Sequence, residues 1–177
     1  ANAENLQQQL DGFLPYGFSY VALSQPNQPQ PFTAGRVGPT LLELPLQLGG
    51  LIGEASLVWT GDTILLRRLN VIDAADGSSR QLISEQPLPI LLELLTRQPE
   101  GLASTMQLCG SVSNEIVCLP SQPTAPIRSL PLRPAQSTAD PLQLAAAGQV
   151  GAGTFRDRDG HLYITVYAPA YFYETEA

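Results

Sequence analysis

Sixteen prolines, spread from Pro15 to Pro169, limit what this chain can become. Proline lacks a backbone donor and clashes inside a helix, so a chain punctuated this often favours short elements and long connections. Numerous glutamines and few charges point the same way. The apolar share of 44% still suffices for a real core, so wholesale disorder is not expected. At 177 residues the expectation is one β-rich domain over 1–177.

The cysteines are the second constraint. Cys109 and Cys118 lie in two β-prone stretches that flank Ser113-Asn114, a polar pair suited to a tight turn. A hairpin folded about positions 113 and 114 sets residue 109 opposite residue 118, close enough for a bridge across the strands. A disulfide is expected, and with it an oxidising compartment. One histidine and two distant cysteines supply too few ligands for zinc, and no Cys-x-x-Cys occurs. The start at Ala1-Asn2-Ala3 fits a mature end left by signal-peptide cleavage, which agrees with an extracytoplasmic location: periplasm, cell surface or secreted.

Along the chain, Leu6, Leu10, Phe13 and Leu14 recur at helical spacing, which predicts a short amphipathic helix bounded by Gly12 and Pro15. Residues 18–23 read as a strand and 24–31 as a solvated polyproline-like loop. Residues 41–52 are apolar but broken by Pro45 and Gly49-Gly50, and stay ambiguous. A hairpin is predicted over 55–60 and 63–72 about Gly61-Asp62, with a third strand at 80–85. Leu88, Leu91, Leu92 and Leu95 predict a helix within 87–97, with Pro89 in its first turn. Residues 121–148 read as an extended proline-rich segment, and 149–155 with 162–168 as a last hairpin. The fold class is therefore mainly β, with α+β as the alternative: an antiparallel sheet of hairpins, one or two short helices and a long proline-rich connection.

Charge excludes some functions. The net charge is −7, all nine basic residues are arginine, and none form a cluster, so nucleic acid is not an expected partner. Arg67-Arg68 is the one adjacent basic pair, and neighbours on a strand point to opposite faces. No apolar run reaches the ~18 residues of a membrane span. The nearest, 41–58, carries Glu43, Pro45, Gln47 and Glu54.

Candidate sites are sparse. Asp157-Arg-Asp-Gly160 and Asp73-Ala-Ala-Asp-Gly77 share the aspartates and glycine of a calcium loop but lack its distal ligands, and hairpin turns need the same residues. His161 is the sole histidine and follows a turn glycine, with no nucleophile elbow to accompany it. Gly148-Gln-Val-Gly-Ala-Gly153 opens a predicted strand rather than a helix, so it forms no phosphate cradle. Glu43, Glu54, Glu85 and Glu93 are the acids available for general acid–base work, with no spacing that pairs them. No catalytic residue, metal or cofactor is assigned.

The tail is distinctive. As a strand it sets Tyr163, Thr165 and Tyr167 on one face and Ile164 and Val166 on the other. Tyr163, Tyr167, Tyr171, Phe172 and Tyr173 are a candidate interface for a protein or a sugar, the alternative being a core strand with its hydroxyls at the rim. The functional expectation is a non-enzymatic structural or interaction protein in a surface or multi-protein assembly, with protein partners and homo- or hetero-oligomers. A helix stub, then sheet, then a cysteine pair is similar in architecture to the soluble part of a minor pilin or pseudopilin, without that family's long apolar amino-terminal helix. A phage or virion structural protein fits the same composition. The opposing expectations are a hydrolase using carboxylates or His161, and a soluble ligand-binding module.

Overall fold

A computed structural model describes residues 3–26, 28–46, 54–73, 77–97, 106–120, 125–133, 139–156 and 160–170. The chain divides into two compact units, 1–106 and 107–177.

The first unit opens with α1 (Ala3–Asp11) and a 3-10 turn at Leu14–Tyr16. Six strands follow: β1 (Tyr20–Ser24), β2 (Phe32–Gly35), β3 (Leu42–Leu46), β4 (Glu54–Trp59), β5 (Ile64–Asp73) and β6 (Ser79–Pro87). They form one antiparallel sheet in the order β2-β1-β6-β5-β4-β3. The β1–β2 hairpin closes onto β6, the last strand of the β3–β6 meander. Gly61, with φ of +107°, turns β4 into β5 at the expected Gly-Asp pair. Of the ambiguous stretch 41–52, residues 42–46 are the edge strand β3. Pro45 is tolerated there because an edge strand leaves one row of backbone donors unused.

Residues opposite one another in an antiparallel pair share a face. The register therefore gathers Val21, Leu23, Ala34, Leu44, Leu57, Trp59 and Ile64 on one face, all of them buried. Helix α1 packs its apolar stripe here, with Leu10 buried against Val21, Leu23 and Ala34, and Leu6, Leu14, Phe18, Phe32 and Leu82 around them. The second helix, α2 (Pro89–Thr96), starts on Pro89 in its first turn and buries Leu95.

The second unit contains β7 (Cys109–Val112), β8 (Glu115–Cys118) and β9 (Arg128–Pro131) in a three-stranded antiparallel sheet, then α3 (Pro141–Ala146), then the hairpin β10 (Gly151–Arg156) and β11 (Leu162–Tyr167). Cys109 stands opposite Cys118 with Cα atoms 3.9 Å apart and is disulfide-bonded to it, about a turn at Ser113 whose φ is +56°.

Within the proline-rich segment 121–148, the described residues include edge strand β9, which ends on Pro131, and helix α3. Asp140 caps α3: its carboxylate accepts from the Leu142 amide at 2.9 Å, while Gln143 Oε1 accepts from the Asp140 amide at 2.8 Å. Gln143 is buried, and its Nε2 donates to the Pro131 carbonyl at 2.8 Å, tying α3 to β9. The described residues form three short α-helices, against the one or two expected, and the mainly β, antiparallel class holds.

Candidate functional site

Two places could carry function. The first lies on the sheet face opposite the α1 core. Register places Tyr20 (β1), Glu85 (β6), Arg67 (β5) and Ser56 (β4) side by side in one row, with Glu43 (β3) on the same face. Arg67 Nε and Nη2 both donate to Glu85 Oε1, at 2.9 and 2.7 Å, while Nη1 donates to Glu43 Oε2 at 2.7 Å. Nη2 also donates to Thr40 Oγ1 at 3.1 Å, and the Ser56 hydroxyl donates to Glu43 Oε1. Of the acids named from the sequence, Glu43 and Glu85 are therefore brought together, whereas Glu54 and Glu93 are exposed elsewhere.

Burial decides what this row can do. The Glu85 side chain is 2% exposed, Arg67 23% and Glu43 39%. A general acid must give up its proton at working pH, which calls for a carboxyl kept neutral in a reachable cleft. Here each carboxylate is held by the guanidinium, and Glu85 is out of reach of solvent. The arrangement ties four strands together across the sheet. Glu85 Oε2 is buried without a hydrogen-bond partner, so the tie is incompletely satisfied.

Glu85 also acts on Tyr20. The Tyr20 hydroxyl is held above its ordinary value of 10.0, first by burial and then by the Glu85 charge, with Arg67 opposing. The folded state thus binds this proton more tightly than the unfolded state. Its contribution is complete below the ordinary tyrosine range and is lost as pH rises through that range towards the raised value. Tyr20→Phe should therefore lose less stability than the parent between pH 9 and pH 11, a window about one unit either side of the ordinary value, read as the shift in urea midpoint. An equal alkaline loss in both proteins would remove Tyr20 as its source.

The second place is the β10–β11 hairpin. Its two faces alternate cleanly. On one, Phe155, Tyr163 and Tyr167 form an aromatic cluster, with Phe155 centroids 6.3 Å from Tyr163 and 6.4 Å from Tyr167. The rings lie over glycines: a Cβ on Gly151 would meet Tyr167 Oη at 2.7 Å, and one on Gly153 would meet the Phe155 ring at 2.8 Å. That close approach accounts for Gly151 and Gly153, whereas Gly148 serves a φ of +81° with open space around it, and α3 packs against β11. Tyr163 and Tyr167 are accordingly half-buried, while Tyr171, Phe172 and Tyr173 lie outside the described residues.

The other face is the exposed one. Leu162, Ile164 and Val166 are 63%, 80% and 78% exposed, with Ala152 and Thr154 beside Val166 and Ile164. Alternation along 162–167 predicts both faces, and of the candidate tyrosines Tyr163 and Tyr167 lie on the half-buried one. The glycine pair beneath the rings marks the aromatic side of this hairpin as the packed one.

The remaining candidates are quickly placed. His161 is exposed just before β11. Asp73 ends β5 and accepts from the Ser79 hydroxyl at 3.0 Å, as a turn aspartate does, whereas 74–76 and 157–159 lie outside the described residues. Among the described residues no cluster of three potential metal ligands occurs, and no helix is long and apolar enough to cross a membrane. Arg67 and Arg68 fall on opposite faces of β5. No family model matches the chain, and no curated protein or solved structure is significantly similar to it.

Proposed function

We propose that this chain is a non-enzymatic structural or interaction protein that works outside the cytoplasm as a subunit of a multi-protein assembly, with the β10–β11 hairpin as its contact surface. The observation that carries the reading is the aliphatic stripe Leu162, Ile164 and Val166, exposed along a whole strand. Singly exposed apolar residues are ordinary, but a contiguous row of them marks an interaction site. The Cys109–Cys118 disulfide supports an oxidising compartment. The carboxylates that a hydrolase would need are held by Arg67, which weighs against that alternative. A narrower reading, the soluble part of a minor pilin or pseudopilin, draws on α1 packed against an antiparallel sheet. The test is a photo-reactive residue at position 164 in the producing cell: the reading expects a discrete protein adduct from that face, and its absence would overturn the contact role.

A further inference from the structure

We infer that the Arg67–Glu85–Glu43 row is a register key: it selects which residues pair in the six-stranded sheet, rather than adding to how firmly they pair. Alternation leaves this choice open. A one-residue slip of β6 on β5 would carry Glu85 onto the opposite face, where α1 packs, and is excluded on that ground. A two-residue slip keeps every side chain on its own face. On the face of the row, β5 presents Leu65, Arg67, Leu69 and Val71, and β6 presents Gln81, Ile83, Glu85 and Pro87. The apolar members of these two sets fit one another in either register.

Tight turns fix register, and the strands of the row share only one. Gly61 turns β4 into β5, closed by the Thr60 amide donating to the Thr63 carbonyl at 3.1 Å. Strands β3 and β4 are joined through 47–53 and β5 and β6 through 74–78, both longer than a two-residue turn. Strands β1 and β6 pair although β2 to β5 lie between them in the chain. The polar contacts fall on these joints. Arg67 meets Glu85 across β5–β6, Ser56 meets Glu43 across β4–β3, and Tyr20 stands opposite Glu85 across β1–β6.

Geometry makes the selection sharp. The Leu88 amide donates to the Ile64 carbonyl at 2.8 Å, which makes Arg67–Glu85 a non-hydrogen-bonded pair, the class whose side chains lie closer. A slip of two sets Glu85 against Leu65 or Leu69, and Arg67 against Ile83 or Pro87. The Glu85 side chain is out of reach of solvent, so water cannot stand in for the guanidinium and the wrong register strands a charge. The Ser79–Asp73 bond at the β5–β6 turn is exposed, and water replaces it at little cost. Glu85 Oε2, buried without a hydrogen-bond partner, fits a contact kept for selection rather than for stability.

The test is NMR spectroscopy of the full, disulfide-bonded chain, reading cross-strand Hα contacts between β5 and β6. The parent is expected to pair position 67 with 85 and to hold any slipped register below about 1%. Arg67→Met with Glu85→Leu removes the key but keeps the apolar volume. It is expected to stay folded and to populate a slipped pairing, 85 with 65 or 69, above that level. A second variant moves the key: Arg67→Leu with Leu69→Arg offers the guanidinium two residues further on, and position 85 is expected to follow it to 69. A Met–Leu double variant that keeps only the 67–85 pairing overturns the inference, and so does a relocated arginine that leaves 85 opposite 67. A Met–Leu double variant that unfolds overturns it too, because the row would then hold the sheet rather than choose its register.

Discussion

Replacing Arg67 with alanine destabilises the first unit by about 3–5 kcal/mol, because it leaves Glu85 charged and buried without its counter-ion. The Coulomb gain of a buried pair is largely cancelled by desolvation, so most of this loss is the cost of the stranded carboxylate. Two controls separate the causes. Glu43→Gln removes the more exposed partner and should cost no more than about 1 kcal/mol. Arg67→Met with Glu85→Leu replaces the pair by apolar groups of similar volume and should recover most of the single-variant loss. The urea midpoints of the three proteins, with amide exchange in β5 and β6, make the comparison. A double variant as unstable as Arg67→Ala would mean that the ion pair itself, and not the unpaired charge, carries the effect.

Replacing both cysteines with alanine costs about 2–3 kcal/mol, the loop-closure value for residues nine apart in sequence. The bridge sits across a short hairpin whose Cys118 and Leu119 are buried, so the loss should show first as faster exchange of the β7 and β8 amides. A reductant added to the parent should reproduce it, which distinguishes the lost bond from the lost sulfur volume. Unchanged exchange in both experiments would show that the hairpin is held by packing alone and would weaken the case that an oxidising compartment matters to the chain.

The parts of this fold that sequence reveals are those set by neighbours in the chain. The cysteine register follows from the Ser113-Asn114 turn, the β4–β5 hairpin from Gly61-Asp62, and α2 from Pro89 with its leucine spacing. Helix α3 also had a local signal, the Asp140-Pro141-Leu142-Gln143 capping pattern, which the surrounding prolines obscured. Strand β9 had none: its partner β8 and its edge position make Pro131 acceptable, and neither is written within 128–131.

The two candidate sites divide in the same way. Arg67 meets Glu85 and Glu43 only because β3, β5 and β6 lie in one sheet, and partners 18 and 24 residues away leave no spacing to read. For β11, alternation gave both faces, but which one is packed depends on α3 and on Gly151 and Gly153 across the hairpin. Period-two patterning identifies faces; tertiary partners decide which of them meets solvent.

The most direct test of the assembly role compares two photo-reactive positions in the producing cell. One replaces Ile164, at the centre of the aliphatic stripe, and the other replaces Tyr16, 79% exposed in the first unit and outside the proposed surface. An interface on β10–β11 predicts a discrete adduct from position 164 that Val166→Lys abolishes, and no such adduct from position 16. Adducts of equal yield from both positions, or none from 164, would contradict it.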